Sequence, residues 1–250
     1  MCTAQPKKEG DNVPKTKVAA TLALGAAASL VAGCASAADG DDGDVLTYLE
    51  SNWFNSLYPP AAGFYPNGGV VNQLTDRLLY QDPETLELEP WIATDLPEIN
   101  EDATVFTFDI RTDVTYSDGT PMTAQNIVDN FDLFGLGDKD RLLNVSEQIS
   151  NYERGEVVDE DTVRFHFSAP SPGFAQATST YNAGLLADSS LKLRNEEFGP
   201  GNAENVIGSG PFVVDSETLG TDLVLKTRED YDWEPPSLEH QGRARIDGIH

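Results

Sequence analysis

Residues 78–132 read LLYQDPETLELEPWIATDLPEINEDATVFTFDIRTDVTYSDGTPMTAQNIVDNFD, and this stretch carries the strongest local patterns in the chain. Residues 104–111 alternate between apolar and polar side chains, which predicts a half-buried strand with one face made of Phe106, Phe108 and Ile110. The pair Asp118-Gly119 predicts a turn, and Thr123 can cap the amphipathic helix that the next apolar residues predict, ending at Gly135. A strand is therefore followed by a helix.

Strand-like alternation and helical spacing of apolar residues recur on both sides of this stretch. Helical spacing upstream predicts a helix with an apolar stripe made of Val70, Val71, Leu74 and Leu78. Short alternating or apolar runs predict further strands at 45–49, 163–167, 212–214 and 223–225. Because helices and strands are interspersed irregularly, the sequence predicts a mixed α/β fold.

Several motifs in this region resemble the peptide and nickel type, family 5, of the extracellular solute-binding proteins of ABC transporters. The matching pieces are Leu79-Tyr80, Asp82-Pro83, 90–93, 107–111 and the run 116–124, with agreement also in 157–174 and 207–233. The chain departs from the family pattern at Asp232, which stands between Tyr231 and Trp233. The matches together extend over most of residues 46–233.

The resemblance implies the first lobe of a two-lobed, periplasmic-binding-protein-like clamshell of class II. Members of the family are considerably longer, so residues 45–250 are expected to form the N-terminal lobe, to end near the hinge and to be truncated before the second lobe. Half of a clamshell cannot enclose a ligand, and tight binding by this part alone is not expected.

The N-terminus has the pattern of an export signal. Basic residues between Lys7 and Lys17 precede an apolar run, 18–32, that is too short to span a bilayer comfortably. The run ends in Leu-Val-Ala-Gly before Cys34, which resembles a bacterial lipobox, and an incidental cysteine is the alternative. We therefore expect residues 1–33 to be a lipoprotein signal peptide and Cys34 to carry a lipid, placing the protein on the outer face of the cytoplasmic membrane.

Residues 34–44 then form the lipidated cysteine and an acidic tether. The segment 35–44, ASAADGDDGD, has no apolar period, which is typical of a solvated linker. A calcium loop is the alternative, but the ligand spacing of an EF-hand and its closing glutamate are absent. We therefore favour the linker.

Charge and composition exclude several functional classes. The chain has 42 acidic and 16 basic residues and a net charge of -26, a field that repels nucleic acid and agrees with an exported protein or a salty niche. Both cysteines, Cys2 and Cys34, precede the globular part, which excludes a disulfide scaffold. The sequence has no Walker loop or GxSxG motif, and its histidines are scattered, so we expect no enzyme activity, no cofactor and no metal site.

One loop combines the aromatic and amide groups that suit a ligand surface. Residues 52–67 carry five aromatic side chains, and from this loop we select Trp53, Asn55, Tyr58 and Tyr65 as ligand contacts. From a second segment we select Tyr181 and Asn182. Aromatic loop residues also serve as core plugs, and that alternative stays open for each of them.

The expected function is capture of a solute and its delivery to an ABC permease. An oligopeptide is favoured, because peptide recognition needs amide, backbone and aromatic surfaces, whereas the family also includes binders of nickel complexes, sugars and haem. Two other classes remain: a sensory or structural lipoprotein that keeps the fold, and a secreted hydrolase.

Overall fold

The computed structural model describes residues 44–250. The predicted signal peptide 1–33, the lipid site Cys34 and nearly all of the tether 34–44 lie outside the described residues. Within residues 44–250 no helix is both long and apolar enough to cross a membrane.

An antiparallel four-stranded sheet contains the strand that the alternating sequence predicts. Its order is β4-β5-β7-β6, with β4 at Glu98–Ile99, β5 at Val105–Asp109, β6 at Tyr152–Val157 and β7 at Thr162–Phe167. In β5, Phe106 and Phe108 are fully buried and pair in register with Phe165 and Val163 of β7. The predicted strands 104–111 and 163–167 are therefore confirmed.

Helix α2, Ala124–Leu136, packs on β6 and β7 of this sheet. Thr123 caps it as predicted, because its side-chain oxygen accepts a hydrogen bond from the Asn126 backbone N–H at 3.2 Å. The predicted end at Gly135 is wrong, since the helix continues to the next residue and stops at Gly137, whose φ is +66°. Gly135 is instead covered by the ring of Tyr152, which leaves no room for a β-carbon.

The core between α2 and this sheet is aromatic. Phe131 of α2 lies 4.6 Å from Phe165, and Phe174 lies 4.6 Å from Phe167 and 5.0 Å from Phe106, measured between ring centroids. Tilted and edge-on pairs at these separations are the arrangements that aromatic rings prefer. Interlocking rings thus fix α2 on the sheet.

A second four-stranded sheet brings the two ends of the described chain together. Its order is β1-β10-β9-β8, with β1 at Val45–Leu46, β8 at Phe212–Thr218, β9 at Asp222–Thr227 and β10 at Gly248–Ile249. The predicted strands 212–214 and 223–225 are confirmed inside β8 and β9. The predicted strand 45–49 is shorter, because β1 has only a two-residue partner, β10, with which it pairs in parallel.

Shorter elements connect the two sheets. Helix α1 is Tyr65–Leu74, helix α3 is Phe174–Ala177, and a small hairpin pairs β2 at Leu79–Gln81 with β3 at Leu88–Pro90. Single turns of 3-10 helix cover Pro59–Ala61, Glu147–Ile149, Tyr181–Ala183, Ser190–Lys192, Asn195–Phe198 and Ala203–Asn205. The stripe predicted for α1 is confirmed at Val71 and Leu74, which are buried, while Leu78 is buried beyond the helix end.

A buried carboxylate attaches the segment after β9 to the end of α1. Asp76 is completely buried and accepts hydrogen bonds from the Tyr231 hydroxyl at 3.1 Å and the Trp233 indole N–H at 2.8 Å. Beside it the Arg228 guanidinium lies over the Trp233 ring and donates to the Thr115 carbonyl at 2.9 Å. The inserted Asp232 therefore leaves both flanking aromatic residues in the core.

Candidate functional site

The aromatic loop 52–67 divides between core and surface, and Tyr58 lies in the core. Only 2% of Tyr58 is exposed, its ring lies 5.9 Å from Phe134 and 5.2 Å from Phe198, and its hydroxyl points to the Leu133 carbonyl at 3.5 Å. Burial raises its pKa well above the ordinary value. The prediction that Tyr58 contacts ligand is contradicted by this packing, and the residue is a core plug.

Asn182 is also structural. It is buried, its amide donates to the Pro59 and Pro60 carbonyls at 3.2 and 3.3 Å, and its side-chain oxygen accepts from Gln148 at 3.1 Å. Because these bonds occupy the amide group, the structure contradicts the prediction that Asn182 contacts a ligand. The residue holds the Pro-Pro turn of the aromatic loop in place.

Asn55 stays exposed, but a buried partner fixes its position. The Asn67 side-chain oxygen accepts from the Asn55 backbone N–H at 2.9 Å, and the Asn67 amide donates to the Asn55 side-chain oxygen at 2.9 Å. Sequence reasoning missed Asn67, because its contribution depends on two segments that meet only in the folded chain. Asn55 is thus presented on a rigid loop.

Trp53 is half-buried and stacks on Phe54 with ring centroids 5.4 Å apart. Its indole N–H is buried and has no hydrogen-bond partner among residues 44–250. A buried donor of this kind costs free energy until an acceptor reaches it, so Trp53 remains a candidate contact.

Tyr65 and Tyr48 form an exposed pair at the start of α1. Tyr65 is 67% exposed, Tyr48 is 53% exposed, and their hydroxyl oxygens are 2.5 Å apart. Sequence reasoning assigned Tyr48 only to a strand, and its place beside Tyr65 follows from pairing between β1 and β10 at the far end of the chain. The hydrogen bond with Tyr65 raises the pKa of Tyr48 to about 12, so its phenol stays neutral at physiological pH.

Tyr181 belongs to the same face of α1. It is 39% exposed, and its ring lies against Gly68 in the first half of that helix. The neighbouring Thr180 hydroxyl donates to Gln148 at 2.6 Å, which ties this segment to the 3-10 turn at 147–149. We call the exposed residues Tyr48, Tyr65 and Tyr181 the tyrosine surface.

The tyrosine surface offers the contacts that a solute needs on one side. Each ring presents an apolar face, and each phenol can donate or accept a hydrogen bond. Helix α1 carries Tyr65 and the turn held by Asn182 carries Tyr181, while the Tyr48 backbone N–H is held by the His250 carbonyl at 2.7 Å. The surface can therefore make apolar and hydrogen-bonding contacts with an amphipathic molecule.

An open cleft of about 490 Å³ lies beside α2, apart from the tyrosine surface. Its lining comprises Asp129, Leu133, Asp138, Arg141, Asp188, Leu191 and Lys192. Arg141 is already engaged there by Asp138 at 2.7 Å. Within residues 44–250 no group of three His, Cys, Asp or Glu side chains is arranged to hold a metal ion.

Comparison with known proteins shows what the chain is similar to. The family described as bacterial extracellular solute-binding proteins, family 5 Middle, matches residues 87–250. The glutathione-binding protein GsiB of Escherichia coli O157:H7 is 25% identical over 231 residues, which cover 91% of this chain and 41% of that protein. The chain thus spans about two fifths of the length of this curated relative.

Solved structures share the fold. The periplasmic binding protein DppA of Helicobacter pylori, in complex with the peptide STSA, superposes with a TM-score of 0.66 at 18% identity over 84% of this chain and 43% of that one. NikA of Brucella suis, in complex with Fe(III)-EDTA, superposes with a TM-score of 0.59 at 21% identity over 82% and 38%. These likenesses confirm the predicted fold class, a mixed α/β part of a periplasmic-binding-protein-like fold.

Proposed function

The chain belongs to the bacterial extracellular solute-binding proteins of family 5, and we propose that it forms the first lobe of a protein that captures a solute outside the cell and delivers it to an ABC permease. The observation that carries this proposal is the tyrosine surface, three exposed aromatic residues held on rigid elements. A second lobe that closes on this surface would bury the rings together with the ligand. No enzymatic step is part of the proposal.

We propose an oligopeptide as the ligand. The rings of the tyrosine surface suit peptide side chains, while the phenols suit main-chain carbonyl and N–H groups. The peptide-bound DppA and the glutathione-binding GsiB support this choice, and the Fe(III)-EDTA complex of NikA keeps a metal chelate as the second candidate. Calorimetry of the full-length protein against peptides, oligosaccharides and metal chelates is the test. Heat from a sugar or chelate and from no peptide would overturn the peptide proposal.

Replacing exposed tyrosines of this surface should weaken binding without unfolding the protein. We expect Tyr65→Ala and Tyr181→Ala each to cost about 1–3 kcal/mol of peptide binding, because contact aromatics contribute amounts of this size. The melting temperature should change little, since both rings are exposed in the described lobe.

The matched control for these variants is Ile99→Ala. Ile99 is also exposed, but it lies on β4, the edge strand of the other sheet, which pairs with β5. Its replacement should leave the affinity unchanged. Unaltered affinity in both tyrosine variants would remove the tyrosine surface from the binding site.

We also propose that Cys34 is lipidated after removal of residues 1–33. The support is sequence alone: the basic leader, the short apolar run and the lipobox-like ending. Mass spectrometry should find a diacylglyceryl group on an N-terminal Cys34, and Cys34→Ala should be released from the membrane fraction. A Cys34→Ala protein that is still processed and retained would contradict the anchor.

Transport separates the proposed function from its alternatives. If the protein delivers solute to a permease, cells that lack it should lose uptake of a labelled peptide and regain it with the wild-type chain. Normal uptake in such cells, together with binding in vitro, would favour the sensory or structural lipoprotein. Turnover of a bound peptide by the purified protein would favour the hydrolase.

A further inference from the structure

The three chain segments that build the tyrosine surface contain no basic residue. Residues 44–76 supply Tyr48 and Tyr65, residues 167–191 supply Tyr181, and residues 142–153 supply the turn bonded to Thr180. None of these segments has a lysine, an arginine or a histidine. A histidine does lie beside the surface: the His250 carbonyl accepts from the Tyr48 backbone N–H at 2.7 Å, and the His250 ring lies 3.1 Å from the Asp222 carboxylate. The three segments therefore bring no cation of their own to a solute on this surface.

Two exposed carboxylates belong to these same segments. Glu50 lies beside Tyr48, whose hydroxyl is 3.4 Å from the Glu50 side-chain oxygen Oε2. Glu147 is exposed in the 3-10 turn next to Gln148, the partner of Thr180. Carboxylate and aromatic ring side by side are the two groups that receive an ammonium or a guanidinium, by charge-assisted hydrogen bonding and by cation–π contact.

The charge of the whole described region acts in the same direction. Residues 1–43 hold four lysines and five acidic residues, so 25 of the 26 net negative charges belong to residues 44–250. Seven arginines of residues 44–250 form ion pairs with neighbouring carboxylates, so their positive charge is already matched locally. They are Arg111, Arg141, Arg154, Arg164, Arg194, Arg228 and Arg243. Such a field concentrates cations and repels anions from the surface.

We propose that the ligand is cationic, namely a short peptide with lysine or arginine side chains whose charge is received by Glu50 and Glu147 beside the tyrosine surface. This proposal rests on the proposed function and adds the charge class of the solute. Acidic peptides are repelled both by these two carboxylates and by the net negative charge of residues 44–250.

Three tripeptides that differ only in the central side chain, which is positive, neutral or negative, test the proposal on the full-length protein. Ala-Lys-Ala should bind about tenfold more tightly than Ala-Ala-Ala, and Ala-Glu-Ala more weakly than both, by calorimetry in about 0.1 M NaCl. The preference should shrink in about 1 M NaCl, because the screening length falls to about 3 Å there.

Substitutions at Glu50 and Glu147 test whether these residues cause the preference for the lysine peptide. The double substitution Glu50→Gln with Glu147→Gln should remove most of the lysine preference, measured as the ratio of the affinities for Ala-Lys-Ala and Ala-Ala-Ala. Glu160→Gln, at the exposed turn between β6 and β7, is the control for the loss of one negative charge. A preference that survives the double substitution would overturn the assignment to Glu50 and Glu147.

The remaining outcomes separate this proposal from the proposed function. Equal affinity for all three tripeptides would overturn the cationic ligand and leave peptide capture standing. If neither these tripeptides nor any longer peptide binds, peptide capture itself is overturned.

Discussion

Replacing Gly208 with alanine should destabilise the protein by about 4 kcal/mol or more, a size reserved for severe packing defects. An alanine Cβ there would lie 1.9 Å from the carbonyl oxygen of Leu74 and 2.8 Å from its carbonyl carbon. Both are main-chain atoms at the end of α1, and the same oxygen accepts a hydrogen bond from the Gly210 N–H at 2.9 Å. Neither backbone can move aside without separating α1 from this segment. Urea unfolding of the wild type and the variant measures the loss.

The control is Gly173→Ala, which adds the same methyl group in open space. Among residues 44–250, no heavy atom outside the immediate chain neighbours lies within 4 Å of the position that the new methyl carbon would take. The φ of Gly173 is -82°, which any residue adopts. This variant should be neutral or gain up to about 1 kcal/mol by restricting the unfolded chain. Equal unfolding midpoints for Gly208→Ala and Gly173→Ala would show that the segment at Gly208 and the end of α1 do not touch.

Regular elements were predictable because local periodicity decides which face they bury. The alternation in β5 and β7 and the cap at Thr123 follow from neighbours within a few residues. The end of α2 could not be predicted in this way, because Gly135 and Gly137 are both glycines. Only the Tyr152 ring, which lies over Gly135, distinguishes the two positions. Tertiary packing thus selects which of two helix breakers acts.

The irregular loop shows the same limit more strongly. Tyr58 and Tyr65 have identical side chains seven residues apart, yet one fills the core and the other is mostly exposed. An irregular segment has no regular spacing of apolar residues, so the sequence does not predict which of its side chains are buried. The deciding contacts are Asn67 and Asn182, which fix the loop through bonds to segments 12 and about 120 residues away. Composition therefore located the candidate surface, and only the structure could divide its residues between core and exposed surface.

Replacing Asp76 with alanine should be the second large loss, about 3–5 kcal/mol. The substitution leaves the buried Tyr231 hydroxyl without its acceptor, and it leaves the Trp233 indole N–H with only the Ser209 carbonyl at 3.2 Å. It also leaves space in a fully buried position at the end of α1. Urea unfolding of the wild type and the variant, followed by circular dichroism, measures the loss. Unchanged stability would mean that this segment is held by Arg228 alone.

Asp76→Asn separates the charge of this side chain from its shape. Burial raises the pKa of the Asp76 carboxyl, opposed by the hydrogen bonds that it accepts. The folded state then holds the proton more tightly than the unfolded chain, whose pKa is about 3.9. The stability that Asp76 contributes relative to asparagine is therefore greatest below about pH 4 and is lost as pH rises through the folded pKa.

Urea unfolding of both proteins between about pH 3.5 and about pH 8 should show this difference falling with pH. The exposed Asp140→Asn variant corrects for removing one negative charge from so acidic a chain. A wild-type advantage that grows as pH rises would mean that the hydrogen bonds from Tyr231 and Trp233 outweigh burial and lower the pKa of Asp76 instead.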